Sequence, residues 1–402
     1  MNSTHYLPEG ERMEDEAVIF EPYELNYFDM IILLSSKSAK SSSSSSMSRK
    51  ENERMESIIR NVMQNLGPDG PGLLTVTNVP YSADLRRKLL PLARRLALLD
   101  AQHRTRLLKE QGLGSDVPLR NHNHDRRVSS FAMQLKYSHC DSVDDIEGDE
   151  MDNIGDIFKK LGLIMMEVGH LLAQICDIAI GGHELEQSLS DSCSTAKGRL
   201  IHYHSISDNL ALNKKKTAKA KQIVQASSSD RLWQEWHYDY GLFTLLTSPI
   251  FLSNSHHHTH TRINSGLEIF HQRMNQVLAV KSPPPDSFLV QVGESAEILS
   301  QGKIRANLHS VRKQAKIEEE EDLSRETFVV FLQPGWNQSF SISDEFMKNH
   351  HSSNNSIVPC KEIEKIVPPL LSRMKDGMTF AEFSKQTTQQ YYGGRSGLQS
   401  NK

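Results

Sequence analysis

Hydrophobic positions change their period along the chain. Up to residue 198, apolar side chains recur mostly at three- and four-residue intervals, the spacing of one helix face. Residues 53–66 have this spacing, and Ser82 stands where it can cap a leucine-rich amphipathic helix, with Pro91 kinking or dividing it. A second long helix is predicted over 152–180, closed by Gly181-Gly182. Two segments break the pattern: residues 17–34, AVIFEPYELNYFDMIILL, read as an opening strand or two, and GLLTVTNV (72–79) reads as a strand.

Beyond residue 198 the period shortens. Apolar and β-branched runs now alternate with turn residues: RLIHYHSI (199–206), QEWHYDYGLFTLLT (234–247), SGLEIFHQ (265–272), VLAV (277–280), SFLVQV (287–292), KIRANLHSV (303–311) and RETFVVFLQP (325–334). Many short strands between turns predict a sandwich, barrel or jelly roll. The chain end returns to helix, where Thr379-Phe-Ala-Glu382 fits a capping box. The expected organisation is a tail over 1–16, a strand and helical region over 17–198 with a Ser-rich loop at 35–50, a β core over 199–345, and a helical segment over 346–402. The fold class is thus α+β with a mainly β core.

Composition narrows the possible partners. The chain is 37% hydrophobic and 24% charged with a formal net charge of −4, which gives no global reason to expect nucleic acid or a membrane. Cys140, Cys176, Cys193 and Cys360 form no C-x-x-C pair, as expected in a reducing compartment. The acidic start MNSTHYLPEGERMEDE does not read as a secretory signal. The apolar run 161–180 is interrupted by Glu167, His170, Gln174 and Asp177 and reads as a buried helix. A cytoplasmic monomer is expected, with the nucleus left open.

Candidate chemistry sits within the strands. His237 and Asp239 form an H-x-D pair, and a two-residue spacing on a strand puts both side chains on one face. His309, within KIRANLHSV, supplies a third ligand. Two histidines and one carboxylate with open positions form the facial set of non-haem Fe(II) sites. A second H-x-D, His139 and Asp141, precedes an acidic loop without a third ligand and is set aside. Arg325 and Thr327 share a strand face, and a guanidinium fork beside a hydroxyl suits a carboxylate. The histidine run His256, His257, His258 and His260 and the lysines around Lys214–Lys221 read as exposed loops.

These motifs, in this order, resemble the iron(II)- and 2-oxoglutarate-dependent dioxygenases of the isopenicillin N synthase-like, plant-type superfamily. The resemblance implies a double-stranded β-helix (jelly roll) with N-terminal bracing helices and a C-terminal helix. It implies that His237, Asp239 and His309 hold Fe(II), and that Arg325 and Thr327 grip the far carboxylate of 2-oxoglutarate. O2 and 2-oxoglutarate are then consumed to oxidise a small organic substrate, with release of succinate and CO2. Where the family usually has Asn-Tyr-Tyr-Pro, this chain has His202-Tyr203-His204-Ser205, which offers His202 and His204 as co-substrate contacts. An Asp usual before the distal histidine strand is Glu294, and KQAKIEEEEDLS lengthens the path from His309 to Arg325. Two other readings use the same triad: a jelly-roll binding protein without turnover, and a zinc-dependent hydrolase.

Overall fold

In the computed structural model of the chain, the described residues are 18–39, 49–115, 128–136, 149–190, 195–214, 232–253, 259–260, 264–313, 322–353 and 367–392. The tail 1–16, the serine run, His139 and Asp141, the lysines beyond Lys214, His256–His258 and the acidic run after Lys313 lie outside them.

The short runs of the second half pair into two sheets. One is ordered β1 (Ile19–Phe20), β12 (Gln276–Lys281), β11 (Asn264–His271), β14 (His309–Arg312), β7 (Leu232–His237). The other is ordered β2 (Glu24–Asn26), β3 (Leu73–Thr77), β13 (Phe288–Val292), β8 (Phe243–Thr247), β15 (Ser324–Gln333), β6 (Thr195–Tyr203), β5 (Val128–Leu135), β4 (Gly114–Ser115). Two further strands, β9 (Ile250–Leu252) and β10 (Thr259–His260), join it at the Ser324 end of β15.

The middle of the larger sheet is buried on both faces, which explains the continuous apolar runs in β8, β13 and the second half of β15. On β15, Phe328, Val330 and Leu332 enter a core shared with the helices. Val329 points the other way, into a core built from both sheets with Leu246, Leu289, Leu267, Ile269 and Val311. The two sheets therefore pack face to face, and the helices cover the back of the larger one.

That helical layer includes α1 (Tyr27–Ala39), α2 (Arg49–Leu66), α3 (Ser82–Leu98), α4 (Ala101–Glu110), α5 (Ile154–Ile180) and α6 (Glu184–Ser190). Helix α5 is long and apolar enough to cross a membrane, yet half of its most apolar window is buried inside the fold. It presses so closely on the sheet that a Cβ on Gly169 would come 2.1 Å from Leu332 Cδ1. Gly181 ends it in the left-handed conformation at φ 72°. Two shorter helices follow β6 and β13 directly, α7 (Ile206–Lys214) and α8 (Glu294–Leu299).

Several expectations change. The run YFDMIILL is helix α1, because Tyr27, Met30 and Leu33 are buried at three-residue spacing while Ile31 and Ile32 are exposed. Ser82 does not cap α3; its hydroxyl donates to the Val79 carbonyl at 2.7 Å, and the preceding Tyr81 is left-handed. Pro91 is accommodated inside one continuous helix, and α4 starts separately behind Asp100, whose carboxylate accepts from the Gln102 and His103 amides. Strand β5 is hidden in the sequence because Ser129 and Ser130 interrupt its apolar alternation. The Thr379–Glu382 capping box forms, with Glu382 Oε2 accepting the Thr379 amide at 2.9 Å ahead of the helix Phe380–Tyr392.

Candidate metal centre

His237 is the last residue of β7 and His309 the first of β14, and the two are paired across the smaller sheet. The expectation that all three ligands lie mid-strand is corrected here. Asp239 is beyond the strand, in the loop that carries the chain from β7 in one sheet to β8 in the other. The two-residue spacing thus works through a strand end and a turn.

The three side chains meet. Asp239 Oδ1 lies 3.9 Å from His237 Nε2, and Oδ2 lies 3.8 Å from His309 Nε2. The imidazole centroids are 4.2 Å apart, and one ligand atom from each residue falls within 4.8 Å of the others. Backbone carbonyls fix both rings: His237 Nδ1 donates to Glu235 O at 2.8 Å and His309 Nδ1 to Asn307 O at 3.1 Å. Each Nε2 is therefore the atom turned to the carboxylate, the orientation that metal-bound histidines need. The Thr244 hydroxyl donates to Asp239 Oδ2 at 2.6 Å and aims the third ligand. Burial, reinforced by the adjacent His309, pushes His237 down to about 4, so near pH 7 its imidazole is neutral and able to bind a metal.

The Asp239 loop is itself clamped. Asp239 O accepts the Glu294 amide at 2.8 Å and Gly241 O the Ser295 amide at 3.0 Å, so the first turn of α8 holds it. Glu294 in turn pairs through both carboxylate oxygens with Arg373, both residues being buried.

Arg325 and Thr327 lie on the sheet face that looks toward the smaller sheet. Arg325 is 2% exposed, donates from Nε to Ser265 O at 2.8 Å, and has its guanidinium 5.1 Å from the Tyr203 ring centroid. Among the described residues no carboxylate pairs with it, and burial draws its pKa down. A guanidinium so placed is able to take a carboxylate with its remaining donors. Thr327 is buried with its hydroxyl toward Thr247 O at 3.4 Å.

His202 and His204 fall elsewhere. His202 pairs with Glu326 in the strand register, and its Nδ1 lies 2.8 Å from Glu326 Oε1, on the helix side of the sheet. His204 lies beside it, with ring centroids 4.2 Å apart. The pleat turns both away from Arg325, so they are not brought to the co-substrate face as expected. The residue of this strand that does face Arg325 is Tyr203. Its hydroxyl donates to Gln234 Oε1 at 3.2 Å, and the Gln234 amide reaches His237 Nε2 at 2.8 Å. Gln234 joins the site because β7 bulges between positions 234 and 237, an irregularity with no sequence signal. Tyr203 is readable from the alternation of β6 once its pairing with Arg325 is known.

No family model and no curated protein matches the chain by sequence. Solved structures do. A full-length Neurospora crassa protein, crystallised with alpha-KG and 5-formyluracil, is 13% identical at a TM-score of 0.53, covering 94% of this chain and 97% of that one. JOX2, in complex with 2OG, Fe and JA, is 14% identical at 0.53, over 94% and 87% of the two chains. The dioxygenase for auxin oxidation 1 from Arabidopsis thaliana, bound to 2-oxoglutarate, is 14% identical at 0.50, over 81% and 97%. At such identities the likeness is one of fold. The chain has the fold of the 2-oxoglutarate- and iron-dependent oxygenases, with a His-Asp-His triad between its two sheets.

Proposed function

We propose that the protein is a non-haem Fe(II)- and 2-oxoglutarate-dependent dioxygenase on a jelly-roll (double-stranded β-helix) core, and that it oxidises a small organic molecule, hydroxylation being the simplest outcome. The observation that carries this reading is the convergence of His237 Nε2, His309 Nε2 and the Asp239 carboxylate at 3.8–3.9 Å. Imidazole and carboxylate donors suit Fe(II), and three protein ligands leave positions open. Iron held here supplies the redox chemistry that couples O2 and 2-oxoglutarate decarboxylation to substrate oxidation.

The chain's own residues perform the rest. Arg325 binds the far carboxylate of 2-oxoglutarate as a bidentate fork, with Thr327 adding a hydroxyl and Tyr203 packing under the guanidinium. Thr244 and the two backbone carbonyls keep the ligands aimed. Leu246, Leu289 and Ile269 keep the surrounding space apolar and exclude water. The Neurospora crassa protein was crystallised with 5-formyluracil and JOX2 with JA, which supports a small substrate here. The hydrolase alternative needs a general base, and two nearby carboxylates are engaged: Glu294 by Arg373, and Glu297 by the Ala306 amide at 2.9 Å.

The test is anaerobic loading with Fe(II), then succinate release from 2-oxoglutarate in the presence of a metabolite extract, with mass spectrometry for a product gaining one oxygen. Iron-dependent succinate is expected. Iron binding without any succinate would leave the non-catalytic reading instead.

A further inference from the structure

The far side of β6 and β15, the strands that carry Tyr203 and Arg325, faces a second cluster, independent of the triad and of the function proposed for it. His202, His204 and Asp208 are 0%, 1% and 1% exposed, and one donor atom from each lies within 4.8 Å of the others. Neighbours aim each side chain. Glu326 Oε1 lies 2.8 Å from His202 Nδ1, the carboxylate–histidine arrangement typical behind a metal ligand. The Ser129 hydroxyl meets His204 Nε2 at 2.8 Å and fixes that ring. Arg94 donates to Asp208 Oδ1 from Nε and Nη2 at 3.0 and 2.8 Å, and the Ser205 amide donates to Oδ2 at 3.1 Å.

One gap is left. His202 Nε2, fully buried, faces Asp208 Oδ2 at 3.4 Å without a hydrogen bond. A charge-assisted N–H···O contact closes to about 2.7–2.9 Å, so a proton shared there leaves the pair too far apart. Ligands about 2.0–2.1 Å from a tetrahedral metal stand roughly 3.3–3.4 Å from one another. The two rings also stand 4.2 Å apart, the same separation as His237 and His309. Arg94 pairs with Asp208, while among the described residues Glu326 Oε2 has no hydrogen-bond partner, so the carboxylates around His202 still have an oxygen to offer a cation or its ligands.

We propose that His202, His204 and Asp208 form a second divalent-metal site, structural in role and of the zinc or cobalt class that imidazole donors favour. It ties the end of β6 to the first turn of α7 and, through Glu326, to the strand that carries Arg325.

The test uses the full chain with the triad removed (His237→Ala with Asp239→Ala) and the histidine run His256, His257, His258 and His260 changed to Ser. After chelator treatment, Co(II) is titrated in and followed by visible absorption and bound stoichiometry. One equivalent with tetrahedral d–d bands is expected, together with a rise in Tm. His204→Gln and Asp208→Asn, added separately, should each weaken binding at least tenfold. Absence of bound cobalt in the triad-less protein overturns the proposal and assigns the cluster to an imidazolium held between two carboxylates. Unchanged affinity in a folded His204→Gln or Asp208→Asn variant also overturns it. Should both variants fail to fold, X-ray absorption on the cobalt-loaded triad-less protein decides: two imidazole ligands support the site, and an all-oxygen shell overturns it.

Discussion

At Asp239, one carboxylate oxygen takes the Thr244 hydroxyl and faces His309, while the other faces His237. Replacing any of His237, Asp239 or His309 with Ala removes one of only three protein ligands, so each variant should emerge from gel filtration without iron while keeping its circular dichroism spectrum. Thr244→Val leaves all three ligands and loosens only the aim, which should weaken iron about 10–100-fold, measured by competition with a chelator. For Arg325→Ala, loss of one side of a buried charged pair costs about 2–5 kcal/mol, a rise of more than tenfold in the 2-oxoglutarate Kd by anaerobic titration. Thr327→Val should cost about 1 kcal/mol. Wild-type affinity in Arg325→Ala would place the co-substrate elsewhere. These residues are legible because charged and metal-binding side chains stand out inside apolar runs. His202 and His204 stand out equally and mislead, because the face they occupy depends on a register set by β15, more than a hundred residues away.

Among the elements, the crossing from β7 to β8 is tightly constrained. A Cβ on Gly241 would lie 2.5 Å from the Leu332 carbonyl oxygen, a backbone atom fixed in the sheet. On Gly169 it would meet the end of the Leu332 side chain, which can turn away. Gly241→Ala should therefore cost about 1–3 kcal/mol and also displace Asp239, lowering both Tm and iron content, whereas Gly169→Ala lowers Tm alone. Equal iron loss in both variants would contradict this view of the loop. Strands β13 and β15 and helix α5 are readable from periodicity, since burial follows a regular face or a continuous run. Helix α1 and strand β5 are not: the first is too apolar all round to show its period, and the second is broken by serines that are buried. The bulge in β7 that recruits Gln234 leaves no compositional trace.

At the scale of the molecule, the C-terminal segment closes onto the metal loop. Arg373 is fully buried, pairs with Glu294 and donates to Thr387 at 2.9 Å, and its guanidinium lies over the rings of Phe383 and Tyr391. The Tyr391 hydroxyl accepts the Tyr238 amide at 3.3 Å, and Tyr240 packs against the cluster of Phe340, Phe380 and Phe383. The longer Glu294, where the family that the sequence resembles usually has Asp, meets Arg373 here. Arg373→Ala strands a buried carboxylate at a cost of about 3–5 kcal/mol and should release iron along with stability. Glu294→Gln, which keeps the shape and removes the charge, should restore part of the Tm lost in Arg373→Ala when the two are combined; no recovery would mean that the pairing is not what holds the loop.

That clamp sets an order in time. His237, Asp239 and His309 leave the ribosome long before Arg373 and Tyr391, so a growing chain possesses all of its metal ligands before it possesses the parts that hold the Asp239 loop in place. If that clamp is what fixes the loop, the centre matures only after the chain beyond residue 366 is made, and a messenger truncated there should yield chains whose sheets form but which emerge from synthesis without iron.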